Sequence, residues 1–196
     1  MGQSKGTDSN HNNTSRLEAF SDAVLAVVIT IMVLALGPPR GASLGDLEPL
    51  IPKLLVYILS FTFLGIYWNN HRKLFSATRS ISGAVTWANL HLLFWLSLIP
   101  AITAWVGEHP RAAWPAAIYG IVAIMSAIAY SPILTKAIIH ADKGSRVAKA
   151  LGPDLKGRIS ILLYLAAIVI AFVNPLFSYV FYVLVAAIWF IPDRRL

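Results

Sequence analysis

Asp22 stands six residues after Arg16, at the head of the apolar run AVLAVVITIMVLAL. An ionisable side chain beside such a run is costly unless a partner or a water-filled path receives it. If the run crosses a bilayer, Asp22 lies about 9 Å along the helix axis from Arg16. The second apolar run returns to that side with Trp68 and His71, and the third leaves it with Asn89 and His91. Separate segments therefore deliver polar groups to one depth. This predicts a buried hydrogen-bond network of Arg16, Ser21, Asp22, Trp68, His71 and Asn89. The plainer alternative leaves Arg16 and Asp22 solvated at the membrane interface, His71 as an interface histidine beside Arg72 and Lys73, and His91 bonded to a neighbouring helix.

The same run carries a second pattern. Val27, Ile31 and Leu34 fall at i, i+4 and i+7 on one helical face, with Thr30 beside them and small Ala23 and Ala26 nearby. In a symmetric oligomer this face would form stacked apolar rings that gate water and ions by dewetting. An ion crossing a ring sheds part of its hydration shell. Potassium holds that shell less tightly than sodium, and the Thr30 hydroxyl would replace lost water just beyond. An ordinary packing or lipid-facing stripe has the same period, so the pattern alone does not decide.

Other chemistry is thinly represented. There is no cysteine, which removes thiolate metal sites and cysteine nucleophiles. No H-E-x-x-H, glycine-rich phosphate loop or nucleophile elbow occurs. His11, His109 and His140 fall in a tail or loops without metal-ligand spacing. Carboxylates near the apolar runs are isolated, so no catalytic pair is formed. Neither a cofactor nor a resident metal is expected, and an enzyme is the least supported reading.

These residues must be positioned by membrane helices. The chain has 196 residues, 57% hydrophobic and 13% charged, against about 25% charged in a soluble domain. The mean hydropathy of +0.67 points the same way. Apolar runs cover Leu17–Leu36, Ile51–Asn70, the stretch between Arg79 and Glu108, and the stretch between Arg111 and Lys136. Pro100 is placed near a span end. No charge occurs between Arg158 and Asp193, and Asn174-Pro175 divides that stretch into a hairpin, Ile159–Asn174 and Pro175–Ile191.

The expected fold is therefore an all-α integral membrane protein with six transmembrane helices over 16–191. An unstructured cytoplasmic tail over 1–15, free of any signal peptide, precedes them; the polar segment Ala137–Gly157 forms the main loop, and a short tail follows at 192–196. With six spans, all 16 basic residues except Arg40, Lys53 and Arg111 fall on one side. The positive-inside rule then places both termini in the cytoplasm. It also accounts for the formal charge of +7 without a nucleic-acid partner; the partner is the lipid bilayer.

The string Arg16-Leu-Glu-Ala-Phe20-Ser21-Asp22-Ala23 resembles the R-x-x-x-F-S-D signature of the transmembrane protein 175 family, endosomal and lysosomal potassium channels and their bacterial relatives. Trp68-Asn-Asn-His71 resembles that family's W-x-x-H-H motif, with Arg72 where a second histidine is common. Asn89-Leu90, Leu93-Phe94 and Leu98-Ile99-Pro100 resemble its third-helix pattern. The resemblance covers residues 16–100. It implies a single-repeat homotetramer in the cell membrane, its first helices surrounding a central pore for potassium ions, with no re-entrant filter. Val27 then corresponds to the apolar constriction and Thr30 to the threonine layer, with Ile31 and Leu34 as further rings. Val27 is smaller than the isoleucine or leucine often found there, which implies a wider ring and weaker discrimination. Arg16, Phe20, Ser21 and Asp22, with Trp68, His71 and Asn89, are implied to be structural. A proton-coupled secondary transporter titrating Asp22 or His71, and a non-conducting membrane scaffold, remain the competing readings.

Overall fold

A computed structural model describes residues 4–78, 80–141 and 155–190. The described residues form six rods. The first is α1 (Ser4–Leu34) and the second α2 (Ile51–Ser76). The third joins α3 (Gly83–Ser97) to α4 (Ile99–Glu108). The fourth runs through α5 (Ala113–Ile128), a π-helical stretch (Ala129–Thr135) and α6 (Lys136–Ala141). The last two are α7 (Leu155–Ala171) and α8 (Pro175–Phe190). By length and composition the first four rods can cross a membrane. The last two, of 17 and 16 residues, are about 25 Å long against a hydrocarbon layer of about 30 Å.

Local chemistry explains the rod ends. Gly37 takes φ +67° after α1, a left-handed geometry that glycine adopts without a Cβ penalty. Pro38 and Pro39 then prevent the helix from resuming. Ser43 and Asp46 cap a short 3-10 turn (Leu44–Leu50) through Ser43 N–H and Oγ–H bonds to Asp46 Oδ2 at 2.9 and 2.5 Å. Asn174 Oδ1 accepts from Phe177 N–H at 3.2 Å and starts α8 at the expected hairpin.

Several boundaries differ from the sequence expectation. The polar stretch expected as an unstructured tail is helical from Ser4; it contains no proline to stop a helix propagating backwards from the apolar run. Pro100 lies inside the third rod rather than near a span end. The rod breaks at Leu98, and the proline occupies the first turn of α4, where its missing N–H costs least. The fourth rod continues to Ala141 because Ile138 is fully buried. Within it Pro132 lacks an N–H to donate, the turn widens, and Thr135 Oγ1 bonds Tyr130 O at 3.1 Å. Residues 142–154 of the expected loop and the tail 192–196 lie outside the described residues, and the loop's last three residues already belong to α7.

Without water to expel, membrane helices associate through close packing and hydrogen bonds. α5 and α7 meet through small residues, Ala116, Ala117, Ala167 and Ala171. At Gly120 an added Cβ would collide with the Tyr182 hydroxyl and lie 2.6 Å from Ile168 Cγ1. α1 packs chiefly on α2, α3 and α4, whereas α8 packs chiefly on α2, α5 and α7. The rod ends bearing Arg72, Lys73, Lys136, Lys156 and Arg158 form the basic end of the protomer.

A candidate pore helix and its polar anchor

α1 has two unlike faces. Ser21, Leu25, Val28 and Met32, at i, i+4, i+7 and i+11, are buried against the protomer. The other face carries Phe20, Val27, Ile31 and Leu34, which are 48%, 55%, 49% and 79% exposed. Ala23, Ala26 and Thr30 are exposed with them. The Thr30 hydroxyl donates to Val27 O at 2.9 Å, so its oxygen lone pairs remain directed outward from the helix.

The buried face is held by a directional chain of hydrogen bonds. Ser21 Oγ donates to Leu17 O at 2.8 Å and accepts from Asn89 Nδ2 at 2.8 Å. Asn89 Oδ1 is then left to accept, so His71 donates its Nε2–H across 2.7 Å. Ser21, His71 and Asn89 are 0%, 1% and 0% exposed. A bond in such a site meets no competing water. The His71 ring stacks on Phe75 at 4.3 Å, and its buried Nδ1 has no hydrogen-bond partner among the described residues. Three rods are thereby joined at one depth by residues 68 and 18 positions apart.

A second contact lies alongside. Trp68 Nε1 donates to Asp22 Oδ1 at 3.0 Å, tying α2 to α1 again. Arg72 sits over the Trp68 ring, 5.8 Å from its centroid, a cation–π arrangement. Arg16 does not join the group. It is exposed and has no ion-pair partner among the described residues. Six residues at 3.6 per turn leave it about 120° round the helix from Asp22, so a shared depth did not mean a shared direction. His91 bonds within its own helix, accepting from Trp95 Nε1 at 3.0 Å, rather than bridging to another rod.

Sequence reasoning missed a further polar cluster. Thr103 Oγ1 donates to Ser60 Oγ at 2.7 Å, and Ser60 Oγ lies 3.1 Å from the Tyr119 hydroxyl. Ser60, Thr103 and Tyr119 are buried and join α2, α4 and α5, with Met32 of α1 touching Thr103. The available signal was lone hydroxyls in otherwise apolar runs. Such hydroxyls usually bond their own backbone, as Ser126 does to Val122 O at 2.8 Å.

Among the described residues no three His, Cys, Asp or Glu side chains gather in a metal-binding group. The polar centres are built to join helices, and the exposed α1 face holds no charge from Ala23 to Leu34.

This geometry sits in a recognisable family. The model of the family described as endosomal/lysosomal potassium channel TMEM175 matches residues 16–100. A potassium channel of Chryseobacterium sp. (strain P1-3) is 50% identical over 182 residues, 92% of this chain and 94% of that protein. The chain belongs to the TMEM175 family. A potassium channel of Streptomyces collinus is 32% identical over 130 residues, 62% of this chain and 63% of that protein. The fold matches the crystal structure of a lysosomal potassium-selective channel TMEM175 homolog from Chamaesiphon minutus with a TM-score of 0.78 and 27% identity. That match covers 91% of this chain and 96% of the other. The TMEM175 segment 16–100 contains α1's exposed face and every residue of the hydrogen-bonded anchor.

Proposed function

We propose that this chain is a passive, potassium-preferring cation channel, and that four copies surround a pore lined by α1. The observation that carries the reading is the exposed face of α1. Val27, Ile31 and Leu34 lie exposed on the helix that the Ser21–Asn89–His71 chain ties to two other rods. A lipid-facing stripe needs no such anchor, whereas a constriction works only if its helix keeps its place. The likeness to proteins named potassium channels supports the same reading.

In the assembled channel each apolar ring strips water from a passing ion without replacing it. Sodium, with its tighter shell, meets the higher barrier. Thr30, beside Val27 and Ile31, offers oxygen ligands next to the constriction. Val27 makes a modest filter because its side chain is short. The basic end faces the cytoplasm by the positive-inside rule, which places the anchor at the inner mouth of the pore. Neither break in the rods, at Leu98 or along Ala129–Thr135, carries an Asp, Glu, Lys or Arg. A coupled transporter usually places substrate and ion sites at such breaks.

Reversal potentials of the purified protein in planar bilayers with opposed potassium and sodium gradients test this. Potassium-preferring current without an energy source or counter-substrate is expected. Flux that requires a proton gradient at fixed stoichiometry would establish the transporter instead, and absence of any flux would leave a scaffold.

A further inference from the structure

A groove of about 720 Å³ runs between α2 and α8, well within the range of ligand-binding cavities, roughly 300–1,000 Å³. Its walls include Leu55, Leu59, Val183 and Ala187. Along α8 it reaches from Leu176 to Phe190, about 21 Å at the rise of a helix, most of the thickness of a hydrocarbon layer. The polar side chains that line it are Thr62, Tyr179 and Arg111. Thr62 Oγ1 donates to Ile58 O at 2.8 Å, and the Tyr179 hydroxyl to Pro110 O at 3.2 Å. Both hydroxyl protons are thus spent on backbone, and the remaining walls are predominantly hydrocarbon.

The mouth is different. Arg111 lies at the end away from the basic end, between α4 and α5, exposed and without an ion-pair partner among the described residues. Glu108, three residues before Arg111, is paired with Lys53 at 3.4 Å, so that carboxylate is already engaged. α8 begins at this mouth, and its dipole adds to the positive potential there. An apolar channel of membrane depth under a single unneutralised guanidinium fits one chemistry: a hydrocarbon chain ending in an anionic phosphate group.

We propose that the α2–α8 groove binds an anionic phospholipid, with an acyl chain along α2 and α8 and the headgroup phosphate on Arg111. A guanidinium holds phosphate through paired N–H donors. The occupant is a lipid rather than a second copy of the chain, because α8 packs on α2, α5 and α7 and stands one helix removed from α1. That choice rests on the reading of α1 as the helix at the symmetry axis. Lipid retention is measured without conduction, so failure of the lipid site and failure of the channel reading are separable.

Native mass spectrometry of the full-length protein, supplied with phosphatidylglycerol or phosphatidylcholine of identical acyl chains, tests the proposal. Wild type should retain phosphatidylglycerol about fivefold better, the effect of one cationic side chain near a membrane surface. Arg111→Ala should abolish that preference, and Arg111→Lys should keep most of it. Val183→Trp, which fills the groove, should lower retention of both lipids at unchanged subunit number. Equal retention of the two lipids by wild type, or an undiminished preference in Arg111→Ala, would overturn the site. A changed subunit number in Val183→Trp would assign the groove to a second copy and overturn it as well.

Discussion

Asn89 Nδ2 donates to Ser21 Oγ across 2.8 Å in a fully buried contact between α3 and α1. Ser21 in turn bonds the Leu17 carbonyl, and Asn89 also accepts from His71. One amide on α3 therefore satisfies an acceptor on α1 and a donor on α2, and its loss strands partners on both sides.

Asn89→Ala should lower stability by about 1–2 kcal/mol, near the upper end for hydrogen bonds between membrane helices. Thermal melting in detergent measures this. The double variant Ser21→Ala/Asn89→Ala should cost less than the sum of the two singles, because neither change then strands the other's partner. Strict additivity would show that the bonds act independently.

Asp22 depends on Trp68. Trp68→Phe keeps the ring and removes the N–H that bonds Asp22 Oδ1 at 3.0 Å. The expected loss is about 1 kcal/mol, with a smaller loss in Asp22→Asn, whose amide oxygen still accepts. Asp22→Ala should also reduce the yield of assembled oligomer on size-exclusion chromatography. An unchanged melting temperature and unchanged yield in Asp22→Ala would remove this contact from the account.

Two glycines should respond in opposite ways. Gly120→Ala drives a methyl group into the Tyr182 hydroxyl and Ile168 and should destabilise by about 1–3 kcal/mol. Gly65→Ala meets nothing within 4 Å and should be neutral or stabilising by up to about 1 kcal/mol, since alanine favours a helix over glycine. Parallel melting curves of the two variants make the comparison.

Ring size should set selectivity. Val27→Ala widens the proposed constriction and should lower the potassium-over-sodium permeability ratio; about 1 kcal/mol of lost barrier difference is about fivefold in that ratio. Thr30→Val should change the ratio while leaving folding intact, because Thr30 is exposed and its hydroxyl bonds only its own helix. Bi-ionic reversal potentials report both.

The six rods were legible because apolar runs between charged residues set helix position in a bilayer whatever the neighbours do. Depth was legible too: counting along the runs placed Ser21, His71 and Asn89 at one level, and the structure brings them into contact. Direction round a helix was not, which is why Arg16 stands apart from Asp22. The Ser60–Thr103–Tyr119 cluster escaped because a lone serine or threonine in an apolar run ordinarily bonds its own backbone. Pro100 and Pro132 marked irregular turns, but a proline alone does not say whether a rod ends or merely bends. At Leu98 and along Ala129–Thr135 the helix resumes because Thr103 and Ile138 beyond the irregularities are buried against other rods.

The central claim is that the exposed face of α1 borders the ion path. The chain contains no cysteine, so single cysteines can be introduced into the native background. Val27→Cys, Ile31→Cys and Leu34→Cys channels in planar bilayers should lose most of their potassium current on exposure to a small charged thiol reagent. Val28→Cys and Met32→Cys, on the buried face, should keep theirs. Continued full current through Val27→Cys and Ile31→Cys channels shown by mass to be modified would contradict the account.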